Sequence, residues 1–263
     1  MTAYDLFNGD ADGICSLQQL RLHQPKNTTL ITGIKRDINL FSKVTAEKAD
    51  EITALDISFD KNREGVQAAI DAGARVFYAD HHFAGEPVES ELLEVHINTD
   101  ADTCTSLIIN EHLTDKFYAW AIAGAYGDNL FNSAEALADR FNVSEDDREA
   151  LKELGTCLNY NGYGFTVDDL VYHPADLFKL VQPYENPMDF IETNDYKKLL
   201  TAYHQDIEKT HQLSALDARE NGAIFILPDQ PWSRRVNGVF SNDLARDHTS
   251  RAHAVLVECG ANC

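Results

Sequence analysis

Val76-Phe77-Tyr78-Ala79-Asp80-His81-His82 is the stretch from which the rest of the chain is read. A run of apolar, strand-forming residues ends directly on one carboxylate and two imidazoles. In open parallel sheets the carboxyl ends of the strands form the edge where ligands bind. One imidazole there would bind a metal while its neighbour faces a substrate, and the carboxylate would orient an imidazole from behind. A solvated turn is the competing explanation.

Moving outward, short apolar runs alternate with helical patterns through the first half. Tyr4–Phe7, Thr28–Ile34, Glu51–Ile57, Arg75–Ala79 and Val95–Ile97 read as strands. Helices are expected through Cys15–Leu22 and Asn62–Ala72, the latter stopped by Gly73. This alternation predicts an α/β fold with a parallel sheet and helices on both faces. From Thr103 onward the pattern turns helical, with segments at Ser106–Leu113, Phe117–Tyr126, Ala134–Phe141 and Asp146–Leu158. Asn159–Phe165 reads as a turn, and Pro174, Pro183 and Pro187 cut the chain into short pieces. Tyr196–Arg219 reads as one long polar helix. Ala223–Leu227 and Ala254–Val257 read as strands, with Asn242–Asp247 helical between them.

Three more segments have the chemistry of the first. Asn8-Gly9-Asp10-Ala11-Asp12-Gly13 puts two carboxylates beside glycines after a strand. A turn and a helix cap would use the same letters. Leu55-Asp56-Ile57-Ser58 sets a carboxylate at an apolar strand, where it needs a cation or donors. Gly124-Ala125-Tyr126-Gly127-Asp128 ends a small-residue helix on an aspartate, which alone is also a polar stop. Taken together, these are carboxylates and imidazoles with no thiolate partner. That set favours Mn²⁺ or Mg²⁺ over structural zinc, with zinc and cobalt left open. Two cations sharing a carboxylate would activate water and clamp phosphate oxygens.

The order DAD(G), LD, DHH, GD, from Asp10 to Asp128, resembles the DHH superfamily of phosphoesterases. That group includes nanoRNases, RecJ-type single-strand exonucleases, cyclic-dinucleotide phosphodiesterases, family II pyrophosphatases and exopolyphosphatases. The resemblance implies a parallel-sheet DHH domain over residues 1–192, a linker helix over 193–221 and a small, incomplete α/β domain over 222–263. It implies that Asp10 binds one cation and Asp12 the other, that Asp56 bridges them, and that His81 binds the second with Asp128. Asp80 would support the site from behind, and His82 would contact the substrate phosphate or protonate the leaving oxygen. Two divalent cations are implied, Mn²⁺ preferred, with Mg²⁺ or Co²⁺ as substitutes. Two positions depart from the pattern. Leu6 stands where several branches carry a histidine, and no GGGH-like motif occurs near the C-terminus.

Further residues are candidates for the substrate. Asn98, Thr105 and Ser106 would meet phosphate near a helix N-terminus, although capping explains the same residues. Arg235, with Arg234, would belong to the substrate-gripping part. Lys35-Arg36 would meet a phosphate or be a solvated pair. Tyr160, Tyr163 and Phe165 would stack a base or fill the core. His173, His204, His211, His248 and His253 show no metal spacing and read as structural or surface residues. Cys15, Cys104, Cys157, Cys259 and Cys263 read as buried thiols rather than a disulfide framework.

The chain has 263 residues and a net charge of -21. That charge argues against long duplex DNA and leaves a small phosphorylated substrate or a short single-stranded oligonucleotide. No membrane partner or signal peptide is expected, so a cytoplasmic location follows as the default. A homodimer is allowed. The expected function is hydrolysis of short phosphodiesters to mononucleotides. The alternatives are a pyrophosphatase or polyphosphatase, a 3′-phosphoadenosine phosphatase, and a non-catalytic metal- and nucleotide-binding module. An aromatic platform near the metals would favour nucleotides, and a pocket lined only by Lys and Arg would favour pyrophosphate.

Overall fold

A computed structural model describes residues 1–86 and 88–259. Five strands, β1 (Ala3–Phe7), β2 (Thr29–Ile31), β3 (Glu51–Leu55), β4 (Arg75–Asp80) and β5 (Leu93–Ile97), form a parallel sheet in the order β2-β1-β3-β4-β5. Phe7 pairs with Leu55 and Leu55 with Ala79, so β1, β3 and β4 end level with one another. Segments leaving these strands therefore emerge side by side along one edge.

Successive strand residues face opposite sides, and the two sides fill separately. Leu6, Ile52, Ala54, Val76 and Tyr78 pack with helix α2 (Phe59–Asp71) and a 3₁₀ turn at Leu40–Lys43. Phe7, Leu55 and Ala79 pack on the other side with α1 (Ala11–His23), α3 (Thr105–His112), α4 (Tyr118–Gly127), α5 (Phe131–Arg140) and α6 (Glu145–Gly162). Full burial of side chains such as Trp120, Phe7 and Tyr78 stabilises this layering by ~1.5–3 kcal/mol for each large apolar group. Arg21 of α1 also grips Asp5 of β1 with two hydrogen bonds, at 2.5 and 2.8 Å, in a buried pair. The helices α7 (Pro174–Val181) and α8 (Pro187–Ile191) each begin on a proline. The missing N–H is harmless there, so these prolines start helices as well as breaking the chain.

The remainder is α9 (Asn194–Thr210), β6 (Asp217–Arg219), β7 (Gly222–Leu227), α10 (Pro231–Asp247) and β8 (Ala252–Val257). β7 pairs antiparallel with β6 and parallel with β8. Phe225, Leu227, Val236 and Phe240 join the same apolar cluster as the helices over the main sheet.

Several local expectations change. The second strand is three residues long, not seven. The expected turn at Asn159–Phe165 begins only after Gly162, because α6 runs on and buries Asn159, Tyr160 and Asn161. The expected helix Tyr196–Arg219 stops at Thr210. Pairing of Arg219 with Gly222 across Glu220-Asn221 folds its last residues into a hairpin. The short helix expected at Asn242–Asp247 begins eleven residues earlier, at Pro231. Cys15, Cys104 and Cys157 are buried, Cys259 is exposed, and Cys263 lies outside the described residues. Among the described residues, no helix is long and apolar enough to cross a membrane.

Candidate metal centre

Each acidic residue is set by the end of a different element. β1 ends at Phe7, and Asp10 caps α1 by accepting the Gly13 N–H at 3.1 Å. Asp12 lies in the first turn of α1, and both its oxygens are occupied at the start of α3. It accepts the N–H of Thr105 at 2.8 Å and of Ser106 at 2.7 Å. The unpaired amides of that helix start suit a fixed negative charge. Asp56 follows β3 with φ of 57°, a left-handed conformation that is sparsely populated by residues other than glycine but favours Asp and Asn among them. Its Oδ1 accepts the Thr105 hydroxyl at 3.2 Å. Asp80 ends β4, and Asp128 caps the C-terminus of α4.

Of the five residues expected to bind metal, Asp12, Asp56, His81 and Asp128 converge, and Asp10 is paired with Lys35 instead. His81 Nε2 lies 3.4 Å from Asp56 Oδ1, 3.7 Å from Asp128 Oδ2 and 4.0 Å from Asp12 Oδ2. Two groups of donor atoms with metal-binding spacing result, Asp12-His81-Asp128 and Asp56-His81-His82. His82 stands beside His81 with the rings 4.3 Å apart, and its Nδ1 lies 2.7 Å from Asp80 Oδ1. Asp80 is fully buried, and its other oxygen accepts the Phe59 N–H at 3.2 Å. These two contacts fix the Asp80 carboxylate beside the His82 ring.

One cation is built in. Lys35, in the segment after β2, lies 2.7 Å from Asp10 Oδ2, 3.4 Å from Asp128 Oδ1 and 3.2 Å from Asn159 Oδ1. It is a site residue that the sequence reading left among secondary candidates. Close backbone contacts hold it there. A side chain at Gly9 would collide with the Gly33 carbonyl oxygen, and one at Gly162 would press on Asp10. The Gly162 carbonyl oxygen in turn accepts the Lys35 N–H at 2.8 Å.

Crowding sets the electrostatics. Burial, then the Asp12, Asp10 and Asp128 carboxylates, push the Asp56 carboxyl well above the usual range. Burial pushes Asp128 up to about 6, with Lys35 opposing and Asp12 and Asp10 adding. Burial acts upward on Asp10 too, but the charge and hydrogen bond of Lys35 carry its carboxyl below the usual value. Four buried or half-buried carboxylates against one ammonium leave negative charge uncompensated. The nearby Cys15 and Cys104 thiols stay protonated, because burial pushes both well up. The donors are therefore oxygen and imidazole, a set that fits Mn²⁺- or Mg²⁺-like ions.

The residues expected at the substrate are placed differently. Thr105 and Ser106 are fully buried and hold Asp12 and Asp56 in place, because their N–H groups cap α3 through a carboxylate rather than through phosphate. Asn98 is exposed just after β5, near Asp80, and accepts the Asp100 N–H at 2.9 Å. Arg235 does not reach the centre. Its guanidinium is taken up by Asp206, the Tyr160 hydroxyl and the Asp169 carbonyl, at 2.5–2.9 Å. A narrow cleft opens beside the Lys35 side of the centre. It is lined by Lys35, Arg36, Tyr163, Phe165, Arg234 and Asn237.

Comparison with solved structures places the fold. Over 97% of this chain, the crystal structure of exonuclease RecJ bound to manganese superposes with a TM-score of 0.60, 12% identity and 75% of its own length covered. The fold is that of a DHH domain. A structure described as the DHH domain of a member of a family of ribosomal proteins matches equally, with a TM-score of 0.60, 10% identity, 97% of this chain and 72% of that one. At such identities the likeness establishes the DHH architecture and nothing finer. No family model matches the chain, and no curated protein does. Within the DHH frame, the parallel sheet and its flanking helices agree with the expectation from sequence, and a second small sheet follows.

Proposed function

We propose that this chain is a metal-dependent phosphoesterase that hydrolyses short nucleotide phosphodiesters. The observation that carries the reading is the meeting of Asp12, Asp56, His81 and Asp128, from four separate segments, at the edge of the sheet. These four residues would hold a divalent cation, Mn²⁺ by preference. When bound, such an ion acts as a Lewis acid on phosphate oxygens and makes water a nucleophile at neutral pH.

The chain's own groups account for the remaining steps. Asp80 fixes His82 through Nδ1, which leaves Nε2 for the substrate. His82 is partly exposed and is held protonated to higher pH than usual, chiefly by the hydrogen bond to Asp80. It is therefore suited to protonate the leaving oxygen. The surface beside the centre supports a nucleotide over pyrophosphate, because it offers an aromatic ring for a base next to basic side chains. Phe165 is 41% exposed, Arg234 lies over its ring, and Lys35 lies 5.7 Å from the centre of the Tyr163 ring. Of the basic residues here, Lys35 is paired with Asp10 and Asp128 and Arg234 with Asp169 and Asp229, so the exposed Arg36 is the one placed to meet a phosphate. Arg234 also has a buried Nε without a partner among the described residues.

A panel assay with Mn²⁺ tests the proposal by comparing dinucleotides, cyclic dinucleotides, pyrophosphate and 3′-phosphoadenosine compounds. Dinucleotides are expected to turn over fastest. Preference for pyrophosphate or for a 3′-phosphoadenosine compound would move the substrate within the same reaction class. Tight dinucleotide binding without product, at confirmed metal occupancy, would make the chain a binding module instead.

A further inference from the structure

Lys35 carries an inference that rests on the phosphoesterase reading and deepens it. We propose that the centre holds a single divalent cation, at Asp12, Asp56, His81 and Asp128, and that the Lys35 ammonium occupies the place of a second cation against Asp10.

Three observations converge on this assignment. The first concerns Asp10. Among the described residues, the donor groups with metal-binding spacing at this site are Asp12-His81-Asp128 and Asp56-His81-His82, and Asp10 belongs to neither. The carboxylate left out of both is the one paired with a lysine, at 2.7 Å.

The second concerns saturation. An ammonium has three N–H donors. The Lys35 ammonium has three oxygen neighbours, from Asp10, Asp128 and Asn159, at 2.7, 3.4 and 3.2 Å. Their origins differ: the start of α1, the end of α4 and the last turn of α6. The fold has gathered one acceptor for each proton.

The third concerns anchorage. The Lys35 main chain is tied to the Gly162 carbonyl oxygen at 2.8 Å, and Gly162 itself packs on Asp10. The lysine and the aspartate are thus attached to the same helix end. A divalent ion at Asp10 would lie within a few ångströms of the ammonium and repel it. The ammonium, supplied by the chain, competes for Asp10 directly at 2.7 Å, and it meets the retained ion's ligands only at Asp128, at 3.4 Å.

Metal counting tests this independently of catalysis. Chelator-stripped full-length protein is equilibrated with Mn²⁺ alone, bound manganese is measured per chain, and the electron paramagnetic resonance spectrum is recorded. Wild type is expected to hold one ion, with the six-line spectrum of isolated Mn²⁺. Lys35→Ala is expected to hold two, with exchange-coupled lines, and Lys35→Arg one. Two coupled ions in wild type would overturn the lysine assignment and leave the phosphoesterase reading intact. An unchanged count of one in Lys35→Ala would overturn it as well, and Lys35→Met repeats the test if the alanine variant does not fold. No bound manganese in wild type would overturn both readings.

Discussion

The Nδ1 atom of His82 lies 2.7 Å from the Oδ1 atom of Asp80, a carboxylate with no solvent exposure. This pair fixes which imidazole nitrogen can serve a substrate. His82→Ala is expected to retain bound metal and to lower kcat by about 10²–10⁴-fold. Asp80→Asn should cost about 10–100-fold. The hydrogen bond to Asp80 raises the His82 pKa, so activity that needs the imidazolium is lost as pH rises through that raised value. Asp80→Asn should therefore move the alkaline limb of the kcat profile to lower pH. A limb that does not move would remove His82 from the acid role.

Metal-free protein should respond to pH through the crowded carboxylates. Burial holds Asp128 up at about 6, and Asp56 is also raised by burial and its acidic neighbours. In the unfolded chain both return to about 4. The folded state then binds more protons between about pH 4 and 6, so its stability falls as pH rises through that window. Mn²⁺ is expected to raise the melting temperature more at about pH 7 than at about pH 5. Equal shifts at the two values would contradict this electrostatic account.

Asp56→Asn separates charge from backbone shape. Asparagine tolerates the left-handed φ of 57°, so the fold should persist. Removing one of several repelling carboxylates should raise the melting temperature of the metal-free protein. Manganese affinity and turnover should fall together. Full manganese occupancy in this variant, measured by elemental analysis, would exclude Asp56 as a ligand.

Arg235→Met should act on stability and leave substrate affinity alone. The residue links α10 to Asp206 of α9 and to Tyr160 of α6. Breaking a largely buried pair of this kind costs about 3–5 kcal/mol, readable by denaturant unfolding. A raised KM with unchanged stability would return Arg235 to the substrate.

Phe165→Ala tests the aromatic side of the cleft. Loss of base stacking is worth ~1–3 kcal/mol, or roughly a 5- to 150-fold rise in KM for a dinucleotide. Pyrophosphate hydrolysis, if measurable, should not change. Equal effects on both substrates would argue against a stacked base.

The parts of the centre legible in sequence were those with a local signature. Val76–Ala79 is apolar and stops on Asp80-His81-His82, so both the strand and its ligands are visible in one window. Three of the four motifs could be placed along a common edge because parallel strands end together, and Asp128 reaches it from the end of α4. Lys35 left no such mark, since no periodicity indicates where a lysine in an irregular segment will reach. Thr105 and Ser106 were located correctly at a helix start, but which anion their amides meet depends on the packing of α1 against α3. The start of α10 was readable and was missed. Pro231, Trp232, Val236, Val239 and Phe240 follow helical spacing, with Asn237-Gly238 obscuring the pattern. β6 depends on its hairpin partner, and local propensity does not report that.

Gly9 and Gly162 contribute no charge and no apolar surface, yet a side-chain carbon at Gly9 would overlap the Gly33 carbonyl oxygen and one at Gly162 would lie 3.0 Å from Asp10. Alanine at Gly9 would run into the Gly33 carbonyl oxygen and Pro174, and alanine at Gly162 would press on the aspartate that opens α1. The smallest residues of the centre thus help to set its shape, and an inventory drawn up only from reactive side chains would omit them.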